Sequence, residues 1–187
     1  EPDSVRLRAD LALAGVRADL SRGGGAAYGP LRLAVRGELV HAPASGRTLV
    51  RDLLLALEAI EIHVHGTVDA PGDTAAPRLD LALSTGSFEP ARVLSLLGPA
   101  VPVGLRVAGT ARLDATVRGP AAAPEIAGAL VLARVDVTPP GRDRPLLTGL
   151  AGEAAFDRTS LAVRGLTGEL AGIPFTLAAT LRDFDRP

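Results

Sequence analysis

Two histidines stand one residue apart in the run IEIHVHG, at His63 and His65. On an extended strand, residues i and i+2 project to the same side, so two imidazoles at this spacing could hold a divalent cation that activates water for hydrolysis. Little else in the chain supports such chemistry. The only other histidine is His41, upstream, and there is no cysteine to serve as thiolate ligand, nucleophile or disulfide partner. No serine lies in a G-x-S-x-G turn, and no Asp-rich calcium loop is present. The GGG at 23–25 is followed by neither a helix nor a lysine, so it reads as a hairpin tip and not as a phosphate cradle.

The His63/His65 pair looks like the first-strand His-x-His of the amidohydrolase superfamily. Such a site needs further histidines and an aspartate on later strands, often with a lysine, and this chain has no lysine. Its 187 residues also fall short of an eightfold βα barrel. The histidines therefore read as members of a wet row with Glu61 and Thr67. We expect no catalytic residues, no metal, no cofactor and no enzyme.

Composition narrows the field further. The 20 basic residues are all Arg against 21 acidic ones, a formal net charge of −1, and only one Tyr and four Phe could stack on a base. A polyanion partner would want a basic excess and stacking aromatics, so nucleic acid is not expected. The longest notable apolar run, LLLAL at 53–57, is far below the roughly 20 residues of a spanning helix. Opening at Glu1 without a charged-then-apolar leader, the sequence reads as a piece of a longer chain, with any membrane anchor outside it.

The elements that must position these residues are strands. Apolar residues recur at every second place, the pattern of a sheet with one oily and one wet face. Over 103–117, Val103, Leu105, Val107, Ala111, Leu113, Ala115 and Val117 oppose Arg106, Arg112, Asp114 and Thr116, and Gly109 marks a bulge or bend. The pattern returns at 5–13, 31–40, 60–68 and 79–83, with further candidates at 16–20, 48–57, 129–137, 151–156, 160–164 and 173–182. In 129–137 the phase flips between Leu130/Leu132 and Val135/Val137, which a bulge near Ala133 or Arg134 would repair. Gly- and Pro-rich turns at 21–30, 41–46, 69–77, 118–128 and 138–145 join these runs into an antiparallel meander of about eleven strands. Carboxylates and arginines alternating along the strands predict a solvated row of opposite charges. LAVRG occurs at 33–37 and again at 161–165, either by chance in a biased composition or as a reused strand module.

One stretch departs from this. SFEPARVLSLLG at 87–98 predicts a short helix of about two turns, with Ser87 as cap, Glu89 and Pro90 in the first turn, a stripe of Phe88, Val93, Leu94 and Leu97, and Gly98–Pro99 as the stop. One small helix cannot cover so many strands. Either the sheet closes as a sandwich whose apolar face is core, or it curves and leaves that face partly open. The inward set is Leu, Val, Ala, Ile and Gly, a smooth lining suited to hydrocarbon, each buried methylene contributing about 0.8 kcal/mol. The expected lining is Ile62, Val64, Leu79, Leu81, Leu83, Leu105, Val107, Leu113, Val117, Leu130 and Leu132.

The run VRGPAAAPEIAGALVLARVDVTP at 117–139 resembles the repeated unit of AsmA-like and TamB-like bacterial envelope proteins, through Gly119, Pro124, Gly128, Leu130 and Leu132. Residues 148–187, with Gly165, Gly168, Gly172 and Pro174, are similar to that family's succession of short strands, and 77–98 to its strand followed by a Phe-acidic-Pro helix start. The resemblance covers about 60–180. It implies a Gram-negative periplasmic protein, anchored at the inner membrane by a helix outside this sequence, whose long β-groove conducts phospholipid toward the outer membrane and serves outer-membrane biogenesis.

The resulting expectation is an all-β fold, an elongated and curved antiparallel sheet forming a groove, with one short helix near 88–97. Residues 1–187 would be a single module of a longer repetitive protein, with a weak subdivision near 99–103. Its partner would be phospholipid acyl chains. Two alternatives stay open: a scaffold whose sheet edge pairs with an outer-membrane protein without carrying lipid, and a closed sandwich that binds neither.

Overall fold

The computed structural model describes residues 4–19, 27–57, 60–70, 76–96 and 101–182. Ten strands follow one another in chain order: β1 (Val5–Asp19), β2 (Ala27–Ala42), β3 (Arg47–Leu57), β4 (Ile60–Asp69), β5 (Arg78–Thr85), β6 (Arg106–Pro120), β7 (Glu125–Thr138), β8 (Leu147–Phe156), β9 (Ser160–Leu170) and β10 (Ile173–Arg182), with helix α1 (Pro90–Leu96) between β5 and β6. They form a single antiparallel sheet in the order β1 to β10, a meander that does not close. The short Gly- and Pro-rich connections explain most of the topology, since links of that length can join only antiparallel neighbours; β5 and β6, linked through α1 over 86–105, are long enough apart for a crossover and pair antiparallel nonetheless. The GGG at 23–25, expected as a hairpin tip, lies outside the described residues.

Residues paired across an antiparallel ladder share a face, and following the pairs across the sheet separates two surfaces. One line runs Ala9–Gly37–Leu53–Val64–Leu83–Ala115–Gly128–Phe156–Leu161–Leu181, crossing all ten strands without a polar side chain. The adjacent line, Asp10–Arg36–Leu54–His63–Ser84–Asp114–Ala129–Ala155–Ala162–Thr180, faces the other way. On the apolar face the paired strand residues include no charged side chain among those described; its polar ones are His41, Thr48 and Thr85.

Burial follows the same division. The buried hydrophobic residues are Val50, Ile60, Val64, Ala111, Val135 and Leu150, all on the apolar face, and among the described residues no large side chain is completely enclosed. Among the described residues no second layer accounts for this burial: substantial contacts between elements join sheet neighbours only, apart from α1 against β6. The buried side chains are therefore covered by their neighbours within the sheet and, at β6, by α1. Gly66, at φ 139°, lets β4 and β5 lie this close, because a Cβ there would collide with the Asp80 carbonyl and lie 2.9 Å from the Leu81 Cα of the next strand.

Several expectations need correction. Segments 5–13 and 16–20 fall, as far as Asp19, on one strand, β1, whose register slips between Leu13 and Val16, which reduces eleven runs to ten; Leu20 lies outside the described residues. Residues 103–105 are not in a strand: β6 begins at Arg106, Gly104 takes φ 87°, and Val103 turns out into solvent. Phe88 is not in the helix, which starts at Pro90, but bridges Ala111 of β6 through paired backbone bonds of 2.8 Å. Leu97 and the Gly98–Pro99 stop lie outside the described residues. The bulge expected in β7 is present: Arg134 adopts φ 51° as the extra residue, opposite Gly109 at φ 112°. Both copies of LAVRG lie in strands, β2 and β9.

Candidate lipid-binding face

Ten of the eleven expected lining residues share the apolar face. Leu79, Leu81 and Leu83 of β5 lie between Val68, Gly66 and Val64 of β4 and Gly119, Val117 and Ala115 of β6. Leu113 and Leu130 pair directly, as do Val107 with Val137 and Leu132 with Gly152, and Ile62 pairs with Leu55. Leu105 is the exception. It precedes β6 in a turn and lines a cleft of about 490 Å³ beneath α1, with Ala91, Leu94, Val101, Val103, Arg106 and Val107. Val107 belongs to both surfaces, so the cleft opens onto one end of the sheet face.

The surface extends beyond those eleven positions. Leu33, Val35, Leu39, Val50, Leu53 and Leu55 carry it across β2 and β3, and Leu150, Phe156, Val163, Phe175 and Leu177 across β8 to β10. Alternation in β10 could have identified Phe175 and Leu177. In β3 the signal is lost, since LLLAL has no alternation and the register shifts beside Arg51 and Asp52. At both sheet edges the face is uncovered, with Leu7 53% exposed on β1 and Leu181 55% exposed on β10.

Ten strands set about 4.8 Å apart give this surface a length of about 43 Å. Half the hydrocarbon core of a bilayer, the reach of one acyl chain, is about 15 Å. An acyl chain laid along the apolar line would meet apolar residues throughout and no buried charge to desolvate.

The opposite face carries the predicted charge row. Arg47 grips Asp69 through two hydrogen bonds, Nε to Oδ1 at 2.6 Å and Nη2 to Oδ2 at 3.2 Å, and Arg118 reaches Asp80 at 3.1 Å. Glu38 lies between Arg8 and Arg51 at 3.8 and 3.9 Å. The Arg47 hydrogen bond lowers the Asp69 pKa below its ordinary value. Exposed pairs of this kind add little to stability; their larger effect is to keep this surface wet. His63 and His65 are exposed here, His63 Nδ1 lying 4.0 Å from Asp52 Oδ1. Among the described residues no three His, Asp or Glu side chains converge as a metal site would require, and no helix is long and apolar enough to cross a membrane.

No family model, curated protein or solved structure matches this chain.

Proposed function

We propose that the apolar face binds acyl chains, as a module of a β-groove that contributes to phospholipid transport between the inner and outer membranes. One observation carries this reading: a ten-stranded sheet with an uncharged apolar face and, among the described residues, no second layer over it. Water against such a surface is costly at about 25 cal/mol per Å², and a contiguous apolar area of this kind marks an interaction site. Hydrocarbon suits it because the lining offers dispersion and almost no hydrogen-bonding groups. The family resemblance adds the periplasmic location, the inner-membrane anchor outside this sequence and the role in envelope biogenesis.

Native mass spectrometry of the purified chain tests the reading. Bound phospholipid is expected, and its loss in the Leu81→Asp, Leu113→Asp double variant, checked for folding by circular dichroism. A folded double variant that still copurifies with phospholipid would sink the proposal.

The edge strands of the described sheet, β1 and β10, favour a second reading, in which an outer-membrane protein adds a strand to the sheet and no lipid is carried. A lipid-free chain that binds such a partner would favour it over the conduit.

A further inference from the structure

Two loops meet at the end of the sheet where β6 begins and β7 ends. In the first, Val103 stands at the tip, 96% exposed, with Leu105 and the cleft beneath α1 behind it. The second, 139–145, touches the first where Arg106 Nη2 donates a 2.9 Å hydrogen bond to the Arg142 carbonyl. Together 101–106 and 139–145 hold Arg106, Arg142 and Arg144 against the single acid Asp143. All four are exposed. A chain with net charge −1 thus concentrates a local charge of +2 around a protruding aliphatic residue.

We propose that this end of the sheet docks on an anionic lipid bilayer, Val103 entering the interface while the arginines meet headgroup phosphates. Apolar insertion combined with basic residues is how a peripheral protein holds such a surface without a spanning segment. Arginine suits the role because its planar fork pairs with phosphate oxygens. The cleft joins the tip to the apolar face through Val107, so the docked end would also be the mouth by which an acyl chain passes between bilayer and groove. That consequence rests on the acyl-chain reading; the docking itself does not.

Vesicle flotation of the full chain tests it, with phosphatidylcholine vesicles with and without phosphatidylglycerol. The chain should float with the anionic vesicles, less so as salt is raised, and stay behind with the neutral ones. Arg142→Gln and Arg144→Gln should each weaken binding about fivefold; Val103→Asp should abolish it and Val103→Leu preserve it. Native mass spectrometry on the same proteins keeps the two proposals apart. A chain that carries phospholipid but does not float overturns the docking alone. One that floats through Val103 but carries no lipid overturns the groove alone. Undiminished flotation of Val103→Asp would also overturn the docking.

Discussion

Gly128 of β7 and Phe156 of β8 are direct cross-strand partners on the apolar face, and the Phe156 ring lies over the glycine. A Cβ at position 128 would come within 2.8 Å of the ring's Cζ and 2.6 Å of the Asp114 carbonyl of β6. The ring could swing aside, but the backbone carbonyl could not. Gly128→Ala should therefore destabilise the chain by about 1–3 kcal/mol, the usual cost of overpacking, read as a lower denaturant midpoint. A variant as stable as the parent would show that β6 and β7 can part here.

Leu54 and Leu55 are sequence neighbours on opposite faces, Leu54 opposite Arg36 and His63, Leu55 opposite Val35 and Ile62. If acyl chains use the apolar face, Leu55→Asp should cut retained phospholipid at least tenfold, the carboxylate being costly to desolvate. Leu54→Asp should leave it unchanged. Equal losses in both would mean that lipid is not held by one face.

Much of this was legible in the sequence because an exposed sheet writes its two faces as a period of two. Alternation located β4, β5 and β10, and the phase flip in β7 located the bulge now seen at Arg134. Alternation failed where it continued past the sheet: Val103 and Leu105 keep step with Val107, but Gly104 turns the chain before the ladder begins. It also divided β1 at a register slip that pairing with β2 spans. Periodicity could not separate core from open trough, since either use of an apolar face gives the same alternation. That distinction came from the absence of a second layer, a property of long-range packing.

Arg134 offers a test of the bulge. A non-glycine residue at φ 51° bears a steric cost of about 1–2 kcal/mol, partly offset in glycine by its greater unfolded-state freedom. Arg134→Gly should thus stabilise the chain by up to about 1 kcal/mol, and the β-branched Arg134→Val should destabilise it. Chemical denaturation of the two variants checks both signs.

Asp157 closes the β8–β9 turn, and its titration makes that turn pH-sensitive. Its Oδ1 accepts from the backbone N–H groups of Thr159 and Ser160 at 2.8 and 2.7 Å, and its Oδ2 from the Ser160 hydroxyl at 2.6 Å. These bonds, the hydroxyl's foremost, favour the carboxylate and lower its pKa from 3.8 to about 2. Because the folded value lies below the unfolded one, the bonds contribute fully above about 3.8, progressively less as the pH falls, and not at all below about 2. In Asp157→Ala, hydrogen exchange at Thr159 and Ser160 should be faster than in the parent at neutral pH. The two proteins should converge as the acid limit is approached, since the protonated parent no longer has the carboxylate acceptor that the variant lacks. A difference that persisted unchanged below pH 2 would mean that the turn is held by its backbone, through the 2.9 Å bond from the Asp157 N–H to the Ser160 carbonyl, and not by the carboxylate.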